Sequence, residues 1–133
     1  MTNNPSPHKV FSLEVNDENK SITPHIRHIS PDNVLHDLYK TLNCDLVTCT
    51  EIEVKGKLFD VWSDDEALLK DKPVPNLYID DELILFGSVA FAKTDEDGEM
   101  VGLDSDDIHL LWNFYLAQFP KLLNFLACKR RDS

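Results

Sequence analysis

Glycine is scarce in this chain, with four in 133 residues. Glycine-rich loops that cradle phosphates are therefore hardly possible, and no Gly-x-Ser-x-Gly nucleophile elbow occurs. Cysteine is sparse and odd in number. Cys44, Cys49 and Cys128 cannot all pair within the chain, which fits a reducing compartment where thiols stay free and serve as small packing residues. Long apolar runs are missing too. Leu83 to Phe86 and Val89 to Ala92 fall far short of the ~20 apolar residues that a bilayer-spanning helix requires. Met1 to Pro7 is polar and proline-rich, without a cationic region followed by an apolar core. That argues against a secretory signal and for disorder over residues 1–7, and places the protein in the cytoplasm.

Positive charge is missing from one long segment. Between Asp60 and Asp107 stand fifteen acidic residues against only Lys70, Lys72 and Lys93, a net of −12, whereas the rest of the chain carries nine acids and ten bases. The whole-chain charge of −11 is thus a property of one segment. A pI near 4.7 repels nucleic acid phosphates and suits either a basic protein surface or simple solubility. The one basic cluster, Lys129 to Arg131, opens a polar tail over residues 129–133.

What is present is ordinary for one globular domain over residues 8–128. Hydrophobic residues make up 42% and charged residues 28%, and a chain of this length removes roughly two-thirds of its unfolded surface from water. Val10, Phe11, Leu13 and Val15 precede the turn formers Asn16-Asp17-Glu18-Asn19, after which Ile22, Pro24 and Ile26 alternate with polar residues. This pattern predicts a hairpin whose second strand, holding a proline that cannot donate to a ladder, lies at an edge or is irregular. Ser30-Pro31-Asp32 reads as a helix start, with Val34, Leu35, Leu38 and Leu42 burying one face, Asp37 and Lys40 staying wet, and Asn43 terminating it.

A second hairpin is expected from Leu46 to Val54 and Leu58 to Trp62 around Lys55-Gly56-Lys57. One helical turn at Ala67 to Leu69 is stopped by Pro73 and Pro75. Leu83 to Lys93 reads as the strongest strand, with Gly87 marking a bulge or a close approach of another backbone. Asp95-Glu96-Asp97-Gly98 then turns it into Met100 to Leu103. The tail reads as helical, capped by Ser105 with Asp106 and Asp107 in the first turn. Its apolar face is Ile108, Leu111, Trp112, Tyr115, Leu116 and Phe119, and Pro120 breaks or kinks it ahead of a shorter second helix. The fold class is therefore α+β: an antiparallel sheet of five or six strands, one internal helix, and a C-terminal helix pair packed on one face.

The order of Asp64-Asp65-Glu66, Leu68-Leu69-Lys70, Pro75-Asn76, Leu83 to Phe91 with Gly87, Asp95 to Gly98 and Val101-Gly102-Leu103 resembles a family of small bacterial and phage proteins, domain of unknown function 3846. Ala67 stands where members usually have glycine, and the long C-terminal helix with Pro120 is not expected of the family. The resemblance implies the fold and a setting of mobile elements and bacterial cytoplasm. It implies no catalytic residue.

The chemistry-bearing residues read as structural. Aligning Gly98 with the sixth position of an EF-hand loop sets Asp95 and Asp97 at three and five but Lys93, a cation, at the first ligand. A hairpin turn explains the motif better. His25, His28, His36 and the three cysteines are of zinc-ligand type, but the odd separations within the His25/His28 and Cys44/Cys49 pairs send side chains to opposite faces of a strand, which argues against a site. No cofactor, no metal and no catalytic residue is assigned. Asp64 with Asp65, and Asp80, Asp81 and Glu82, lie in polar runs without the burial that would raise a carboxyl for acid catalysis. Trp62, directly before Ser63-Asp64-Asp65-Glu66, is either a core residue or an apolar anchor beside an acidic cluster.

The function read from the sequence is a non-enzymatic acidic interaction protein of a bacterium or its phage that binds a basic surface of a host protein. Trp62, Asp64, Asp65, Glu66, Asp80, Asp81 and Glu82 are its candidate contact residues, and nucleic-acid mimicry is a sharper version. A small-ligand or ion-binding domain is the alternative, and an enzyme comes third. No nucleic acid and no membrane is expected as partner. Zinc or calcium at millimolar concentration should leave the melting temperature unchanged, because any ion specific for the folded form raises it by mass action. A clear upward shift with either ion in a thermal melt would contradict this.

Overall fold

The computed structural model describes residues 7–16, 18–70, 73–80 and 83–131, with side chains described as far as residue 128. Its elements are β1 (His8–Val15), β2 (Ile22–Ile29), α1 (Val34–Leu42), β3 (Val47–Val54), β4 (Lys57–Asp64), β5 (Pro75–Asp80), β6 (Leu83–Phe86), β7 (Val89–Thr94), β8 (Met100–Val101) and α2 (Ser105–Arg131), with a 3-10 turn at Ala67–Leu69. The six-stranded antiparallel sheet runs β2-β1-β7-β4-β3, with β8 added to β7, and β5 and β6 form a separate two-stranded hairpin.

Both expected hairpins form. The β1–β2 ladder pairs His8 with Ile29 through to Val15 with Ile22, and Pro24 lies in β2 at the sheet edge, where its missing donor is tolerated. Between β3 and β4, Lys55 (φ 50°) and Gly56 (φ 83°) make the two-residue turn, and both positive angles match the twist of the flanking strands.

Alternation along the strands sorts side chains onto two cores. Phe11, Leu13, Ile52, Val54, Phe59, Val61, Val89 and Phe91 meet Leu111 and Tyr115 of α2 together with Leu77 and Leu85 of the small hairpin. On the other face Val10, Ile29, Ala90 and Ala92 meet Leu38 and Leu42 of α1. Ala90 and Ala92 are fully buried, and their small side chains let a helix of nine residues approach the sheet closely.

Six expectations are corrected. The run from Leu83 to Lys93 is two strands in different sheets. At Gly87 the chain takes φ 79°, its N–H donates to the Val74 carbonyl at 2.8 Å, and a Cβ there would sit 3.2 Å from the Ala67 methyl. The next residue, Ser88, accepts the Val15 N–H at 2.9 Å. Periodicity cannot reveal such a break because both pieces are apolar. In place of a C-terminal helix pair there is one helix through Pro120. Proline removes a single backbone bond, and Leu122 is buried one half-turn later.

Helix α1 begins at Val34, beyond Ser30-Pro31-Asp32. Ser30 instead forms a turn, its carbonyl accepting the Asn33 N–H at 3.1 Å. Asp37, expected in water, is half-buried and accepts the Ser30 N–H at 2.8 Å. Leu35, expected in the core, is 51% exposed, because a helix this short turns only one narrow stripe inward. Asn43 does end the helix, in the left-handed conformation. Finally, α2 is capped by Asp104 and not by Ser105: the Asp107 N–H donates to Asp104 Oδ1 at 2.8 Å, and the Asp104 N–H donates back to Asp107 Oδ2 at 3.1 Å.

A buried amide ties the layers together. Asn76 of β5 is fully buried, its Nδ2 donating to the carbonyls of Leu13 (3.1 Å) and Gly87 (2.8 Å) while its Oδ1 accepts the Tyr115 hydroxyl at 3.4 Å. Replacing Asn76→Ala leaves two buried carbonyls without a donor and should cost about 2–3 kcal/mol. Urea unfolding would show this as a lower midpoint at unchanged slope.

Candidate functional site

The two faces of the sheet differ in charge, and a buried carboxylate sets the difference. Asp107, in the first turn of α2, is completely inaccessible. Lys93 Nζ donates to its Oδ2 at 2.7 Å and Lys57 Nζ to its Oδ1 at 3.1 Å. Burial alone would raise this carboxyl. The hydrogen bonds from Lys93, from the Asp104 N–H and from Lys57 outweigh it and hold the pKa down at about 2. Lys57 stands opposite Val54, so both lysines reach across the α2 side of the sheet, and their charge is drawn away from the opposite side.

On that opposite side α1 lies over β1, β2, β4 and β7, and Val47 at the start of β3 packs against the same core. Residues directly across a ladder share a face. Glu51 stands opposite Asp60, Asp60 opposite Ala92, and Glu53 opposite Leu58. Glu51 and Glu53 are exposed. Glu51 borders a groove of about 330 Å³ that is lined also by Leu58, Asp60, Thr94 and the turn residues Asp95 and Glu96. Four carboxylates and no cation line it among the described residues. The Thr94 hydroxyl donates to Asp60 Oδ2 and fixes that carboxylate. Cys49 is beside this patch, and partial burial followed by the Asp60 and Glu51 charges pushes its thiol up to about 11. It therefore stays protonated near neutral pH. Burial, then Asp64, does the same for Cys44, also to about 11.

The candidate residues read from the sequence fall in several places. Trp62 packs against the α1-side core beside Ala90 and Cys49, with its Nε1 buried and unpartnered among the described residues. Asp64 is buried as well, accepting the Glu66 N–H at 2.9 Å and lying 3.5 Å from Lys70 Nζ. Asp65 and Glu66 are exposed in the following turn. Asp80 ends β5 in the separate hairpin, and Asp81 and Glu82 lie outside the described residues. Sequence reasoning missed Glu51 and Glu53, which sit outside the acidic segment and join it only through the β3–β4 register.

Asp95 behaves as a turn residue: its Oδ1 accepts the N–H groups of Asp97 (2.9 Å) and Glu99 (3.0 Å), and Gly98 supplies φ 84°. Among the described residues no group of three or more His, Cys, Asp or Glu side chains is arranged to hold a metal ion. No described helix is long and apolar enough to cross a membrane.

A family model described as a domain of unknown function, DUF3846, matches residues 15–119. No curated protein and no solved structure matches the chain.

The depressed pKa makes Asp107 a source of pH-dependent stability. Its contribution is complete above its unfolded pKa near 3.8 and is lost as pH falls toward 2. At neutral pH it amounts to about 2 kcal/mol. Asp107→Asn should lower the stability by about that amount at pH 7 and by progressively less between pH 4 and pH 2. Denaturant midpoints across that range test it, and a pH-independent deficit would contradict the assignment.

Proposed function

The chain thus belongs to the DUF3846 family, whose description carries no activity, and we propose that it is a non-enzymatic binding protein whose acidic half-sheet takes a basic surface of a partner protein. The observation that carries this reading is the placing of Glu51 directly opposite Asp60, beside Asp95 and Glu96, with no cation among the lining residues. Like charges directly opposed across a ladder are unfavourable, so the fold gives up some stability at this spot. A cationic partner would relieve that repulsion and would be steered to it during encounter. The exposed Leu58 in the same groove offers the apolar contact that charge steering alone does not supply. Asp65 and Glu66, at the end of β4, extend the negative field beyond the groove. A bacterial or phage setting and a cytoplasmic location accord with this reading.

The test is association with a lysine- and arginine-rich peptide, measured by stopped flow at low and high salt. Glu51→Lys, Asp60→Asn and Glu96→Lys together should slow association roughly tenfold at low salt, with the gap closing as salt screens the field. Asp60→Asn keeps an acceptor for the Thr94 hydroxyl, so the fold should be unaffected. Equal rates for the two proteins at every salt concentration would remove the proposal.

A further inference from the structure

The other side of the sheet presents a surface of opposite character. Where α2 crosses the β2 edge, a groove of about 720 Å³ is lined by Lys9, Phe11, Pro24, His25, Ile26, Ser105, Ile108, His109 and Trp112. Further along the same seam a second groove of about 500 Å³ is lined by Lys20, Ile22, Tyr115, Leu116, Phe119 and Pro120. A continuous row of rings joins them, Phe11 to Trp112, Trp112 to Tyr115, and Tyr115 to Phe119, each step 6.1 Å by centroid. Ile22, Pro24 and Ile26 form the opposite wall, since they stand across from Val15, Leu13 and Phe11 on the α2 side.

Ile26, Leu116 and Leu123 are each at least half exposed. Burying such side chains is favourable by about 25 cal/mol per Å² of apolar surface. From Ile108 to Pro120 the lining of the two grooves extends about 18 Å at the helical rise, longer than a compact metabolite.

Charge identifies what fits. In a protein of net charge −11, neither groove has an Asp or Glu among its described lining residues, while Lys9 and His109 border one and Lys20 the other. His25 also borders the first, with its imidazole 3.9 Å from Glu14. We propose that this seam binds an acidic amphipathic segment of a partner protein, with two bulky apolar side chains seated in the two grooves and carboxylates facing Lys9, His109 and Lys20. A second copy of this chain is a poor occupant, because a two-fold contact through the seam would bring Lys9 and Lys20 of one copy toward the same lysines of the other.

The test uses a synthetic helical peptide carrying Leu and Phe on one face and Glu on the other, a counterpart with Lys for Glu, and dodecanoate. In a Trp62→Phe background the emission reports Trp112 in the groove floor. The acidic peptide should shift that emission saturably, and the lysine counterpart should bind at least tenfold more weakly. Lys20→Glu with His109→Glu, and separately Leu116→Asp, should each weaken the acidic peptide at least tenfold while circular dichroism stays unchanged. Glu51→Lys with Glu96→Lys should leave it unaffected, which separates this site from the acidic half-sheet. The proposal is overturned by equal affinity for both peptides, by binding of dodecanoate without the peptide, or by a dimer that Leu116→Asp abolishes in the absence of peptide binding.

Discussion

A single carboxylate, that of Asp107, holds the long C-terminal helix to the sheet. It closes a reciprocal cap with Asp104 at the start of α2 and accepts from Lys57 and Lys93 on two different strands. Taking a carboxylate fully out of water is costly unless its oxygens are satisfied, and here each oxygen has a lysine partner. The Asp104 N–H provides a further donor. The lysines keep part of their own surface in water, Lys57 at 51% and Lys93 at 30% exposure, so the ion group gains Coulomb energy without desolvating three charges. With the helix start pinned, Leu111, Tyr115 and Leu122 fall at successive turns onto the core.

The same interaction polarises the molecule. Lys57 and Lys93 point to the α2 side, and the opposite half-sheet keeps Glu51, Asp60, Asp95 and Glu96 without a lining cation among the described residues. The α2–β2 seam, in contrast, is apolar with lysine and histidine at its rim. Two surfaces of different character thus lie on opposite sides of one sheet, one lined by carboxylates and one apolar with lysine at its rim. The thiols nearest the acidic side, Cys44 and Cys49, are held up at about 11 and remain protonated.

The small β5–β6 hairpin exists because the chain leaves the main sheet and returns. Gly87 makes the return possible through its positive φ, and Asn76 secures the hairpin by bonding to carbonyls of β1 and of Gly87 itself. Without that amide the two carbonyls would be buried unpaired, so one polar side chain holds together parts of the chain sixty-three residues apart.

Hairpin turns, strand alternation, the helix-ending Asn43 and the α+β class were legible in the sequence because they depend on local dihedral preference and on periodicity, which neighbouring residues carry by themselves. The family was legible as well, from the order of turns and strands between Phe59 and Leu103, and its model matches residues 15–119. The charge excess between Asp60 and Asp107 was equally plain, but its meaning was not. Only the tertiary structure decided which carboxylates face water: Asp107 and Asp64 are buried against lysines, whereas Glu51, from a charge-balanced stretch, joins Asp60 through a ladder register. The division of one apolar run at Gly87, the unbroken helix through Pro120 and the basic-rimmed seam were likewise set by contacts between distant segments, whose energies no local pattern encodes.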